Sequence, residues 1–122
     1  MKTNKQNNSD KLLISISNGI EEVKGNDIKI LDLKNIETSV CKYFVICSGS
    51  SSVHVTSIAD NIKKYVSKDI KEKPWNSEGY SSSEWILLDY ADIVVHVFQK
   101  QTRDLYNLEE LWGDANIKEL KN

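Results

Sequence analysis

From about Ser9, apolar side chains return at Leu13, Ile16, Ile20 and Val23, the three-to-four-residue spacing of one helix face. Ser9 or Asn8 stands where an N-cap belongs, and Gly25 can close the helix in a left-handed cap. The period then shortens. "DIKILDL" (27–33) sets four apolar residues among three charged ones, as a strand does. "KYFVICSG" (42–49) is a continuous apolar run between turn residues and reads as a strand buried on both faces. Ser50, Ser51 and Ser52 offer hydroxyl caps for a second helix. Its buried stripe is Val55, Ile58, Ile62 and either Tyr65 or Val66, with Lys63, Lys64 and Lys68 in water. "KEKPWNSEGY" holds Pro74, the one proline, and reads as a short or edge strand ending in a turn. Strands over 85–88 and 93–98 follow, joined by a tight corner. A last helix from about Thr102 carries Leu105, Leu108 and Leu111 or Trp112 on one face, with Gly113 closing it. The order α-β-β-α-β-β-β-α predicts an α/β (α+β) fold, a mixed sheet of about five strands with helices packed on it.

A chain of 122 residues, 39% hydrophobic, supports one core and one domain. That domain is expected over 9–117, between a disordered lead at 1–8 and a tail at 118–122. No apolar run is long enough to span a membrane, and the polar N-terminus has no apolar signal core, so a cytoplasmic location is expected. Charge changes the picture more than composition does. Residues 1–71 carry eleven lysines against eight acids, whereas residues 72–122 carry five basic groups against ten acids. The second half is thus suited to a basic protein. Arg103 is the only arginine among sixteen basic residues, and no basic stripe is evident, so no direct nucleic-acid specificity is expected.

Five features bear on candidate chemistry. "SGSSS" between a strand and a helix can turn backbone N–H groups toward an anion, as in nucleotidyltransferases, or can simply cap the helix. Asp89 and Asp92 lie three apart, so a continuous strand puts them on opposite faces, unlike an Asp-x-Asp metal pair. Aspartates bracketing a turn explain them without a metal. His96 falls on one strand face with Val94 and Phe98, and no catalytic partner is evident in the sequence. Cys41 and Cys47 match no metal or redox spacing, and with only His54 and His96 no zinc site can be completed. Finally, Trp75, Tyr80, Trp85, Tyr90, Phe98, Tyr106 and Trp112 make seven of the ten aromatics. They serve either as core or, with Arg103, as an interface rich in the residue types that dominate binding.

"YFVICSGSS", "WILLDYADIVVHVF" and "RDLYNLEELWGDA" together resemble the ribosomal silencing factor family, also called the Iojap family, over about residues 9–117. The resemblance implies a nucleotidyltransferase-like topology without the catalytic carboxylates, and a non-enzymatic translation regulator without cofactor or metal. It implies binding to the large ribosomal subunit through that subunit's protein number fourteen, exclusion of the small subunit, and repression of translation under nutrient limitation. Homodimers are also implied. The family's characteristic positions fall on Trp85, Asp89, Tyr90, Asp92, His96, Phe98, Arg103, Tyr106, Leu108, Glu109, Leu111 and Trp112. Of these, Trp85, Asp89, Tyr90, His96, Phe98, Arg103, Tyr106, Leu108, Glu109 and Trp112 are taken as the partner-binding set. Two positions depart from the pattern. Lys42 replaces an aspartate, and Ala91 replaces a glycine, which costs about 1–2 kcal/mol if the backbone there is left-handed. Two other readings are a nucleotide-binding or nucleotidyltransferase-like enzyme built on the Gly-Ser turn, and a structural or dimerisation subunit of another complex.

Overall fold

The computed structural model describes residues 3–39, 41–113 and 115–120, with side chains from Asn8 onward. In chain order the elements are α1 (Thr3–Glu22), β1 (Asn26–Asp32), β2 (Tyr43–Gly49), α2 (Ser52–Ile70) and β3 (Asn76–Glu78). Then come β4 (Trp85–Asp89), β5 (Ile93–Gln99), α3 (Lys100–Tyr106), α4 (Leu108–Leu111) and β6 (Asn116–Leu120). All six strands form one mixed sheet in the order β3-β4-β5-β2-β1-β6. Only the central pair, β2 and β5, runs parallel, and α2 lies on the connection between them. Antiparallel neighbours need only short turns, whereas a parallel pair needs a crossover.

One face of the sheet is fully covered. Leu12, Ile16 and Ile20 of α1 and Val55, Ile58, Ile62 and Val66 of α2 pack with Ile28, Val45, Ile86, Leu88, Val95 and Val97 beneath them. The expected helix stripes face the sheet with two shifts: in α1 Leu12 is buried while Leu13 and Val23 are only partly so, and Val66 rather than Tyr65 completes the stripe of α2. Gly19 lets the two helices approach closely, since a Cβ there would meet the Ile62 Cα at 2.9 Å. Ser51 caps α2, its side chain accepting from the His54 backbone N–H at 3.1 Å. β3 is the short edge strand the proline-bearing segment predicts, and Gly79 turns the chain after it at φ 97°.

Several local expectations are corrected. α1 begins at Thr3, not near Ser9, so residues 3–8 are helix rather than lead; residues 1–2 lie outside the described set. Once the packed part nucleates, each added residue gains a hydrogen bond, and no proline or glycine stops propagation toward the N-terminus. The left-handed residue after α1 is Lys24 at φ 60°, not Gly25. Gly25 is needed for space instead, because a Cβ would collide with the Ile20 side chain. The last helix is two short ones, broken at Asn107 with φ 47°, and Gly113 is not a left-handed cap. That break leaves only Leu108 of the predicted stripe buried, with Leu105 and Leu111 79% and 72% exposed. Residues 116–120, of which 118–120 belong to the expected tail, form β6, paired with β1; residues 121–122 lie outside the described set. Its five residues carry too few apolar positions to signal a strand, and the open edge of β1 supplies the missing pairing.

Candidate functional site

The opposite face of the sheet is covered only in part. Register puts Trp85 beside Phe98, Leu87 beside His96 and Asp89 beside Val94, and it continues from β5 to β2 with Val94 beside Phe44 and Ile46 beside His96. Directly paired residues share a face, so these side chains form rows on the side away from α1 and α2. The rings make one connected array. Trp85 stacks on Phe98 with centroids 4.8 Å apart, and Tyr106 of α3 meets Trp85 at 4.7 Å. Phe44 stands edge-on to His96 at 4.7 Å and to Trp112 at 5.5 Å. The helices α3 and α4 border this array without closing over it. Trp85, Leu87, Val94, Phe44 and Trp112 stay half-exposed, and Tyr106 is 52% exposed.

Arg103 holds that border in place. Buried at 6% exposure, it donates to the Asp27 carbonyl and the Ser48 hydroxyl, each at 2.8 Å, and to the Glu109 carboxylate at 3.1 Å. Asp27 sits at a bulge in β1 with φ 49°, so one guanidinium links β1, β2, α3 and α4. Lys29 also reaches Glu109, at 3.6 Å. Arg103 is thus a buried clamp and not an exposed anchor, and Glu109 is its counter-ion rather than a free acidic contact.

The corner between β4 and β5 settles the two aspartates. An Asp89 carboxylate oxygen accepts from the Ala91 backbone N–H at 2.8 Å, an Asx turn, and Ala91 is left-handed at φ 73°. Asp92 accepts from the Ser9 hydroxyl at 3.0 Å and pairs with Lys42 at 3.8 Å, joining the corner to α1 and β2. Among the described residues no group of three His, Cys, Asp or Glu side chains is placed to hold a metal. The residue that departs from the family pattern, Lys42, therefore answers Asp92.

Of the remaining predicted residues, Phe98 and His96 form the floor of the array, and Leu108 is buried beneath α4. They support the surface rather than present it. Tyr90 falls on the other face, packed in the core with α1 and α2, because it leaves the β4 ladder at the corner. Its hydroxyl pKa is raised, chiefly by burial. His96 Nδ1 accepts from the Trp85 indole N–H at 3.1 Å, and desolvation pushes the imidazole down to about 4, so it is neutral near pH 7. Its Nε2 has no hydrogen-bond partner among the described residues. Burial likewise pushes the Cys47 thiol up to about 12, which makes it an inert core residue. Leu87, Val94 and Phe44 were missed as surface residues, although alternation with His96 and Phe98 carried the signal. Leu105 and Leu111 were missed because one long helix hid the break at Asn107.

The Gly-Ser turn opens on a hollow of about 860 Å³ lined by Asn26, Asp27, Ser48, Gly49, Ser50, Lys100, Gln101 and Asp104. Two of its donors are already used. The Ser50 N–H donates to His54 Nδ1 at 2.9 Å, and Lys100 pairs with Asp104 at 3.4 Å. Two acids against one paired lysine disfavour a phosphate there.

Comparison with known proteins bears on this arrangement. The family model described as "Ribosomal silencing factor during starvation" matches residues 6–122. A ribosomal silencing factor of Bacillus subtilis is 42% identical over 101 residues, 82% of this chain and 83% of that protein. One from Halalkalibacterium halodurans is 39% identical over 104 residues, 85% of this chain and 87% of that protein. A crystal structure of a protein from Chromobacterium violaceum superposes with a TM-score of 0.80 at 32% identity, covering 85% of each chain.

Proposed function

From the premise that the chain belongs to the ribosomal silencing factor family, we propose that it represses translation by docking on the large ribosomal subunit through protein number fourteen. Bound there, it excludes the small subunit sterically and performs no chemistry of its own. The observation that carries this reading is the uncovered aromatic face: Trp85, Tyr106 and Trp112 with Leu105 and Leu111 around them. Partly exposed Trp and Tyr on a rigid floor are the residue types that dominate protein interfaces. The exposed acids Glu84, Asp104 and Glu110 stand next to Trp85, Leu105 and Leu111 in the chain and suit a basic ribosomal protein. No helix among the described residues is long and apolar enough to cross a membrane, in keeping with action on ribosomes in the cytoplasm.

The test is co-sedimentation with isolated large subunits and with joined ribosomes. Binding to the former and not the latter is expected. Tyr106→Ala and Leu105→Asp should each weaken binding at least about tenfold, the loss of one interface hot spot, with the circular dichroism spectrum unchanged. Full affinity in both variants would remove this face from the reading.

A further inference from the structure

On the far side of the sheet edge from the aromatic array lies a different surface. Five of the chain's fifteen lysines, Lys63, Lys64, Lys68, Lys71 and Lys73, fall within residues 63–73, against Asp69 and Glu72 alone. Asp69 is engaged elsewhere, accepting from the Ser15 hydroxyl at 2.8 Å. Lys63 is held by Asp60 at 3.8 Å and over the Tyr80 ring at 4.4 Å. Lys64, Lys68, Lys71 and Lys73 form no ion pair within 4 Å among the described residues; Glu22 of α1 acts on Lys64 and Lys68 from farther off, and the surface keeps a net positive charge. It is also concave. Asp60, Lys63, Lys64 and Ser67 of α2 face Lys73, Pro74 and Ser77 across a hollow of about 550 Å³ beside the edge strand β3.

A solvated helix face accounts for lysines on α2. It does not account for Trp75, which is 82% exposed, the highest exposure of any large apolar side chain described. The Trp75 backbone N–H donates to the Asp89 carbonyl at 2.7 Å, one residue out of the register that sets Asn76 opposite Asp89, and this bond fixes the segment against β4. Trp75 directly follows Lys73 and Pro74, two of the residues that line the basic hollow. A rigidly mounted indole beside a lysine-lined groove is how sequence-tolerant single-strand sites are built: the groove follows the phosphates and the ring stacks a base.

We propose that this hollow binds an exposed, unpaired RNA strand, with Lys63, Lys64 and Lys73 of its lining on the phosphates and Trp75 stacked on a base. It rests on the large-subunit reading for the source of that RNA, and gives the subunit a second contact beside the protein-binding face. Without arginine forks the site reads no sequence.

The experiment uses the full-length chain and a labelled twelve-nucleotide oligouridine, titrated by fluorescence anisotropy at several salt concentrations. Binding that weakens with salt is expected, and Lys64→Glu combined with Lys73→Glu should weaken it at least about tenfold and flatten the salt dependence. Trp75→Ala should weaken it at least about fivefold, while Trp75→Phe retains most of the affinity. Tyr106→Ala, on the opposite face, should leave it unchanged. No binding at low salt, or equal binding by the lysine and Trp75 variants, overturns the proposal. Oligouridine binding requires no ribosome, so its loss with retained large-subunit binding defeats this inference alone. Retained oligouridine binding without large-subunit binding defeats the docking reading instead.

Discussion

Replacing Arg103 by methionine keeps an apolar stem in the same space and removes the guanidinium. Three hydrogen bonds disappear, at 2.8, 2.8 and 3.1 Å. Each bond to a charged group is worth about 1.5–3 kcal/mol, but the three do not add, because the desolvation of the guanidinium is also relieved. What remains is a Glu109 carboxylate only 19% exposed, with Lys29 at 3.6 Å as its remaining cation among the described residues, and the Asp27 carbonyl and Ser48 hydroxyl without the Arg103 donor. Breaking one side of a buried pair costs about 3–5 kcal/mol, and the low exposure of both partners calls for no discount for solvent screening. At about 2.1 cal/mol/K per residue, 122 residues give about 4 °C per kcal/mol, so Tm should fall by about 12–20 °C. Glu109→Gln keeps an acceptor for Arg103 and should cost only about 1–2 kcal/mol. In the double variant the two losses should overlap by about 1–2 kcal/mol, as expected for groups in contact. The assay is urea denaturation followed by circular dichroism for the parent, both single variants and the double. An Arg103→Met cost below about 1 kcal/mol, or strictly additive losses, would refute the clamp.

Ala91 is left-handed at φ 73°, so Ala91→Gly should relieve about 1–2 kcal/mol of strain while giving back about 0.4–1 kcal/mol through the freer unfolded chain. A net gain of about 1 kcal/mol, seen as a Tm higher by about 2–5 °C, is expected; a lower Tm would show that the corner is not strained. Because burial holds the His96 imidazole down to about 4 against about 6.5 unfolded, its contribution is intact above pH 6.5 and lost as pH falls toward 4. That loss amounts to about 3 kcal/mol by pH 4. Urea midpoints across this window should fall less steeply in His96→Gln than in the parent, and parallel curves would remove His96 as the cause.

The sheet's two central strands and the helix stripes were legible because burial writes itself into sequence as periodicity. Ile93, Val95 and Val97 alternate with Val94, His96 and Phe98 on the two faces that the sequence assigned, and the continuous run of β2 is buried on both of its faces. The spacing of Asp89 and Asp92 pointed to a turn between them, and the Asx turn at Ala91 bears that out. The site was legible in part. Alternation placed His96 and Phe98 on one face, but it could not say which face the helices would leave open.

Those questions depend on contacts between residues far apart in the chain. β6 exists because the edge of β1 is free to pair with it, 84 residues from Asn116 to Asp32. Arg103 looked like a surface anchor until Asp27, Ser48 and Glu109 were found around it. The sequence by itself determined the alternating strands, the amphipathic helices, the corner and the family, because each is local or collinear. Only the tertiary structure decided which aromatics are floor and which are surface, where the last helix breaks, and that the single arginine is buried, since burial is a property of what packs against a residue from elsewhere in the chain.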